Sequence, residues 1–141
     1  MQPGTGSWDR VFWSLGARRF PVASGLEIFA GVSARCNGNN SRDYRFGREL
    51  TTSLGARLNT GKFLDYGLHA RYRWADYDQR FDADVPNTGG DWFYLVPAVS
   101  ARLGQAWGAK LEAEIPLYRH ANGFRQFTST FLASLSLFIE F

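Results

Sequence analysis

The chain contains a single cysteine, Cys36. One thiol excludes an intramolecular disulfide and any multi-cysteine metal site within one copy. No stretch approaches the about 18 uninterrupted apolar residues of a membrane-crossing helix. Charge of one sign is lacking too: 16 Lys and Arg face 13 Asp and Glu, a formal net charge of +3. The arginines are spread along the chain rather than clustered, so nucleic acid is not expected as a partner. The opening Met1-Gln2-Pro3-Gly4-Thr5-Gly6-Ser7 has neither a basic segment nor an apolar one and does not read as a signal peptide. The expectation is a processed chain, or one that starts partway through a longer protein.

What is present is hydrophobic and aromatic residue at strand spacing. The composition is 45% hydrophobic and 16% aromatic, which excludes a disordered tail. Side chains on a strand point alternately to opposite faces. At the C-terminal end Phe127, Ser129, Phe131, Ala133, Leu135, Leu137, Ile139 and Phe141 form one, mostly apolar, face. Thr128, Thr130, Ser134, Ser136 and Glu140 form the other, with Leu132 and Phe138 as exceptions. Upstream, Trp107, Ala109, Leu111, Ala113, Ile115 and Leu117 alternate with Lys110, Glu112, Glu114, Tyr118 and His120. Phe93, Leu95, Val99 and Ala101 turn away from Tyr94, Ser100 and Arg102. Leu64, Tyr66, Leu68, Ala70, Tyr72 and Trp74 turn away from Asp65, His69, Arg71 and Arg73. Leu50, Leu54 and Leu58 oppose Glu49, Ser53 and Arg57. Leu26, Ile28 and Val32 oppose Glu27, Ser33 and Arg35. Val11, Trp13, Leu15 and Ala17 oppose Arg10, Ser14 and Arg18.

This predicts an all-β chain of about seven antiparallel strands. The segments run longer than the about 5–6 residues of soluble strands and match the about 9–11 needed to cross a bilayer. Short connections (21–24, 59–62, 104–106) alternate with long polar ones (36–45, 76–90, 119–126), as in outer-membrane barrels with periplasmic turns and external loops. Pro97, inside a strand, should mark a bulge or an unpaired position, and Pro116 poses a milder version near a strand end.

An up-and-down transmembrane β-barrel is therefore expected, with the apolar face toward lipid and the charged face toward a lumen. Two belts of aromatics support it, since rings at segment ends suit the headgroup level. Phe46, Tyr72, Trp74, Phe93 and Phe127 would form the long-loop belt, and Tyr66, Trp107 and Phe141 the short-turn belt. The lumen candidates are Arg35, Arg57, Asp65, His69, Arg71, Arg73, Arg102, Lys110, Glu112 and Glu114. On the lipid side a Lys or Arg near the midplane would cost about 2–4 kcal/mol. A soluble lipocalin-like barrel is the alternative that alternation alone leaves open. A terminal Phe141 after an alternating strand resembles the signal read by bacterial barrel-assembly machinery, which becomes an expected partner beside the lipid bilayer.

The segments Pro3-Gly4-Thr5-Gly6-Ser7-Trp8-Asp9, Tyr44-Arg45-Phe46-Gly47, Val85-Pro86-Asn87-Thr88-Gly89-Gly90 and Ile115-Pro116-Leu117-Tyr118, with the terminal strand, carry a resemblance. They resemble the C-terminal half of outer-membrane proteins labelled transporter-like, or phenol meta-pathway degradation-like. The resemblance covers nearly the whole chain. It implies an outer-membrane location in a Gram-negative bacterium and passage of small, aromatic compounds.

The organisation expected is one barrel segment over 1–141, with 1–7 a loop remnant and 8–141 transmembrane strands. Bacterial single-chain barrels have even strand numbers, so seven strands call for more. An N-terminal half, another subunit or a second copy would supply them.

No catalytic group, cofactor or metal is expected. His120 has no nearby serine for a nucleophile–base pair. His69 lies among arginines, poor company for a metal ligand. Glu112 and Glu114, about 7 Å apart along a strand, sit beside Lys110 and read as charge balance. Gly4-Thr5-Gly6-Ser7 lacks the lysine and helix of a phosphate loop. The function expected is a porin-like channel for small polar, anionic or aromatic solutes, with Arg57, Arg71, Arg73 and Arg102 setting anion preference. A plugged barrel holding a partner protein is the alternative.

Overall fold

The computed structural model describes residues 6–21, 25–61, 63–104, 106–123 and 130–139. Phe127 and Phe141, assigned above to the aromatic belts, lie outside them, as does the terminal-Phe signal.

The described chain is built of strands alone. Seven long ones form a single sheet: β1 (Arg10–Phe20), β2 (Leu26–Cys36), β4 (Glu49–Asn59), β5 (Leu64–Ala75), β8 (Gly90–Arg102), β9 (Trp107–Ala121) and β10 (Leu132–Ile139). They stand side by side in chain order, each antiparallel to the next. Sequential neighbours joined by short turns are the simplest way for such strands to pair. Among the described residues β1 and β10 are open edges, and no closure is seen. With the direction reversing at each step, β1 and β10 run the same way.

The long connections carry a second sheet that alternation did not signal: β3 (Tyr44–Arg45), β6 (Gln79–Arg80) and β7 (Ala83–Asp84). Two-residue strands are too short to show a period. Asp78 organises this layer. Its carboxylate accepts hydrogen bonds from the Tyr44 hydroxyl at 2.5 Å and the Gly47 amide at 2.8 Å. Its own amide donates to Thr88 Oγ1 at 2.9 Å. Asn87 and Gly89 adopt positive φ of 61° and 73°, the turn chemistry expected of Asn-Thr-Gly-Gly. A Cβ on Gly89 would run into the Asp76 carbonyl oxygen. Phe46 sits in this loop layer rather than on a long strand, its ring edge-on to Tyr44 at 5.2 Å.

Directly opposed residues in an antiparallel pair share a face, so the registers assign every side chain. On β2, β4, β5, β8 and β10 the assignment agrees with alternation. Two places differ. In β1 the register sets Val11 opposite Arg35, Trp13 opposite Ser33 and Leu15 opposite Gly31. The apolar residues of β1 therefore share the charged face, while Arg10, Phe12, Ser14, Gly16 and Arg18 share the apolar one. Ion pairs accompany this register, Arg19 with Glu27 at 3.3 Å and Arg35 with Asp9 at 2.7 Å. Hydrophobicity specifies it weakly, because Phe12 and Phe20 make the second face of β1 partly apolar as well. The other place is a bulge. Tyr94 pairs with Pro116 but Phe93 with Tyr118, leaving Leu117 as an extra residue. Beyond it the parity of β9 inverts, and Tyr118 and His120 join the apolar face beside Phe93 and Asp91. Pro116 thus stands at a bulge, where proline is tolerated. At Pro97 the ladder to β9 is interrupted: Ala98 pairs with Glu112 and Leu95 with Ile115, with no partner for Val96 or Pro97 between them.

The covered side of the sheet is the charged side. Its three buried hydrophobics are Ala75, Trp92 and Val96, the last 2% exposed, and all three project from the charged face. The apolar face is open: Leu54 is 61% exposed, Leu111 54% and Leu135 70%. The surface totals 10458 Å², against about 7,400 Å² for an ordinary folded monomer of this mass.

Candidate functional site

The ten charged-face residues singled out from the sequence all project from one side of β2, β4, β5, β8 and β9. The ladder brings opposite charges into pairs. Arg73 reaches Glu49 at 2.7 Å, Arg102 reaches Asp65 at 3.5 Å, and Arg57 reaches Glu27 at 3.8 Å. Lys110 meets Glu112 two residues along the same strand at 2.8 Å. Arg71 meets Glu114 across the whole width of β8. Arg35 is paired with Asp9, at the long-loop end.

Two arginines are also stacked. Arg73 lies over the Trp92 ring at 5.1 Å and Arg71 over the Tyr94 ring at 5.7 Å, within cation–π range. Trp92 had no role in the sequence reading. Its alternation with Tyr94 was available, but the strand facing it was not.

Glycines make room for the aromatics on this face. Phe29 and His69 meet at 5.8 Å above Gly55, which lies opposite both. Phe138, an exception to the polar pattern of β10, lies on Gly108, opposite it in the ladder. In both cases the ring occupies the space where a Cβ would stand. Only register reveals such a pairing.

At the short-turn end the charged face opens into a cavity of about 350 Å³. Arg57, Asp65, Ser100, Arg102, Lys110 and Phe138 line it, drawn from five strands. A second hollow of about 160 Å³ shares Arg57, Asp65, Ser100 and Lys110 and extends to His69 and Glu112. Among the described residues no group of three or more His, Cys, Asp and Glu is placed to hold a metal ion.

The belt candidates divide by height on the apolar face. Tyr72, Trp74 and Phe93 lie near the long-loop end, joined by Tyr118 after the bulge. The Tyr72 hydroxyl donates to Asp91 at 2.6 Å, and His120 Nδ1 lies 3.7 Å from the same carboxylate. His120 is thus on the apolar side, not among the charges. Tyr66 and Trp107 lie near the short-turn end. Cys36 is exposed at the end of β2.

Compared with known proteins, the chain matches no family model, no curated protein and no solved structure.

Proposed function

We propose that this chain forms part of a bacterial outer-membrane β-barrel, a channel or transporter-like protein for small polar, anionic or aromatic solutes. One observation carries the reading: the sheet covers its charged side and exposes its apolar side. In water that arrangement is unfavourable by about 25 cal/mol for each Å² of apolar surface left wet. In a bilayer the same surface is solvated by acyl chains, and charged groups gather where water is enclosed. Tyr66 and Tyr72 on β5 stand about 20 Å apart along the strand by the usual rise, about 15 Å in height at the about 40° tilt of barrel strands and so within the about 25 Å apolar band.

Open edges leave unpaired backbone groups, which are costly in lipid. Because β1 and β10 run in the same direction, antiparallel closure needs an odd number of further strands. A second copy of this sheet joined at both edges would create two parallel seams. Closing strands from a different segment or a different subunit would keep every pair antiparallel, as bacterial barrels do.

Planar-bilayer recording tests the channel. Discrete conductance steps with anion preference are expected from the detergent-extracted protein. Recovery of the native protein in the soluble fraction without detergent would refute the membrane reading.

One observation favours a second reading, a plugged barrel holding a partner. The stripe of Val11, Trp13 and Leu15 lies on the charged side yet is open, Trp13 being 77% exposed. An apolar element seated inside would cover it. Current that appears only after removal of a co-purifying protein would select this reading.

A further inference from the structure

We infer that the short-turn cavity is a binding subsite for small monocarboxylates with an apolar body, built from Arg57, Arg102 and Lys110 with Phe138 as its apolar wall. The inference rests on the pore reading above and narrows it. The four arginines expected to set anion preference are not equivalent. Arg71 and Arg73 have their charge and their ring-facing surfaces engaged at once. Each contacts a carboxylate, Glu114 and Glu49, and each lies over an aromatic ring, Tyr94 and Trp92. They fasten β5 to its neighbours.

Arg57 and Arg102 are held loosely. Their nearest carboxylate oxygens lie at 3.8 and 3.5 Å, beyond the about 2.7–2.9 Å of a charge-assisted hydrogen bond. Both line the cavity, as does Lys110. Within the lining these three cations face one carboxylate, Asp65; Lys110 is already held by Glu112 at 2.8 Å, so the two loosely held arginines carry the attraction for an anion. A guanidinium presents a planar fork of donors that fits a carboxylate better than a spherical ion. The Phe138 ring, laid over Gly108, gives the ligand's apolar body a surface beside that fork. The volume, about 350 Å³, falls in the range of small-molecule sites, about 300–1,000 Å³. The adjoining hollow, which shares Arg57 and Lys110, gives a bound anion a way onward toward His69.

The test titrates benzoate and acetate calorimetrically against the detergent-purified protein, beside bilayer recording of the same samples. Saturable benzoate binding is expected, at least tenfold tighter than acetate. Arg57→Gln with Arg102→Gln should weaken benzoate at least tenfold, and Phe138→Ala should remove the advantage over acetate. An equal or larger loss in Arg71→Gln with Arg73→Gln would overturn the assignment, as would absence of saturable binding in a protein that conducts. Benzoate binding with this dependence in a protein that does not conduct would keep the subsite and sink the pore. Unchanged electrophoretic heat-modifiability of each variant guards against misfolding as the cause of a loss.

Discussion

Phe29 and His69 meet above Gly55 at 5.8 Å, although β2 and β5 do not pair with each other. The strand between them contributes a residue with no side chain, and the two rings fill that space from either side. A Cβ at position 55 would collide with the His69 Cβ, and would come within 2.7 Å of Phe29 Cζ and 2.8 Å of the Leu68 carbonyl oxygen. Part of that obstruction is backbone and cannot swing away. Gly55→Ala should therefore lower stability by about 1–3 kcal/mol, the usual cost of overpacking. Gly16→Ala, where nothing lies within 4 Å, should stay within about 0.5 kcal/mol. Urea midpoints in detergent compare the two, and equal midpoints would disprove the glycine's spacing role.

Arg71 and Glu114 form the ion pair that spans a whole strand, and both side chains are mostly covered. Removing either partner leaves the other charge without its counterpart on the covered face. Arg71→Gln and Glu114→Gln should each destabilise, while the double variant should lose less than their sum, by about 1 kcal/mol of coupling. Strict additivity in a double-mutant cycle would mean that the pair is incidental.

Tyr44 in the loop layer should titrate late. Its pKa is pushed up to about 12, first by burial and then by the hydrogen bond and negative charge of Asp78. The unfolded value is about 10, so between about 10 and 12 the folded state binds the extra proton. The pair's contribution to stability is complete below pH 10 and is lost as pH rises through the folded value. Ultraviolet titration should show a late-titrating tyrosine component that Asp78→Asn moves down. An unshifted titration in Asp78→Asn would remove Asp78 as the cause.

The inverted face of β1 predicts a labelling pattern. On the proposed membrane placement, in a Cys36→Ser background in bilayers, Leu15→Cys should react with a water-soluble maleimide and Leu54→Cys should be protected. Both are apolar positions at mid-strand, yet the register puts them on opposite sides of the sheet. Protection at both, in a preparation free of any co-purifying protein, would mean that β1 sits one residue away from the register with Val11 opposite Arg35.

Leucine, valine and aromatic residues at alternate positions, with arginines and acids between, determined the seven long strands and the two faces of each. That information is local, because a strand's period of two is written in its own residues. The tertiary structure alone decided how one strand's phase relates to its neighbour's. A shift of a single residue exchanges the faces, as β1 illustrates, and one extra residue at Leu117 turned Tyr118 and His120 to the apolar side. The same holds for the site. The charges were legible, but which arginine is clasped by a carboxylate and a ring, and which opens on a cavity, depends on side chains up to two strands away. Hydrogen-bonded registers bring those together, and no spacing along the chain encodes them.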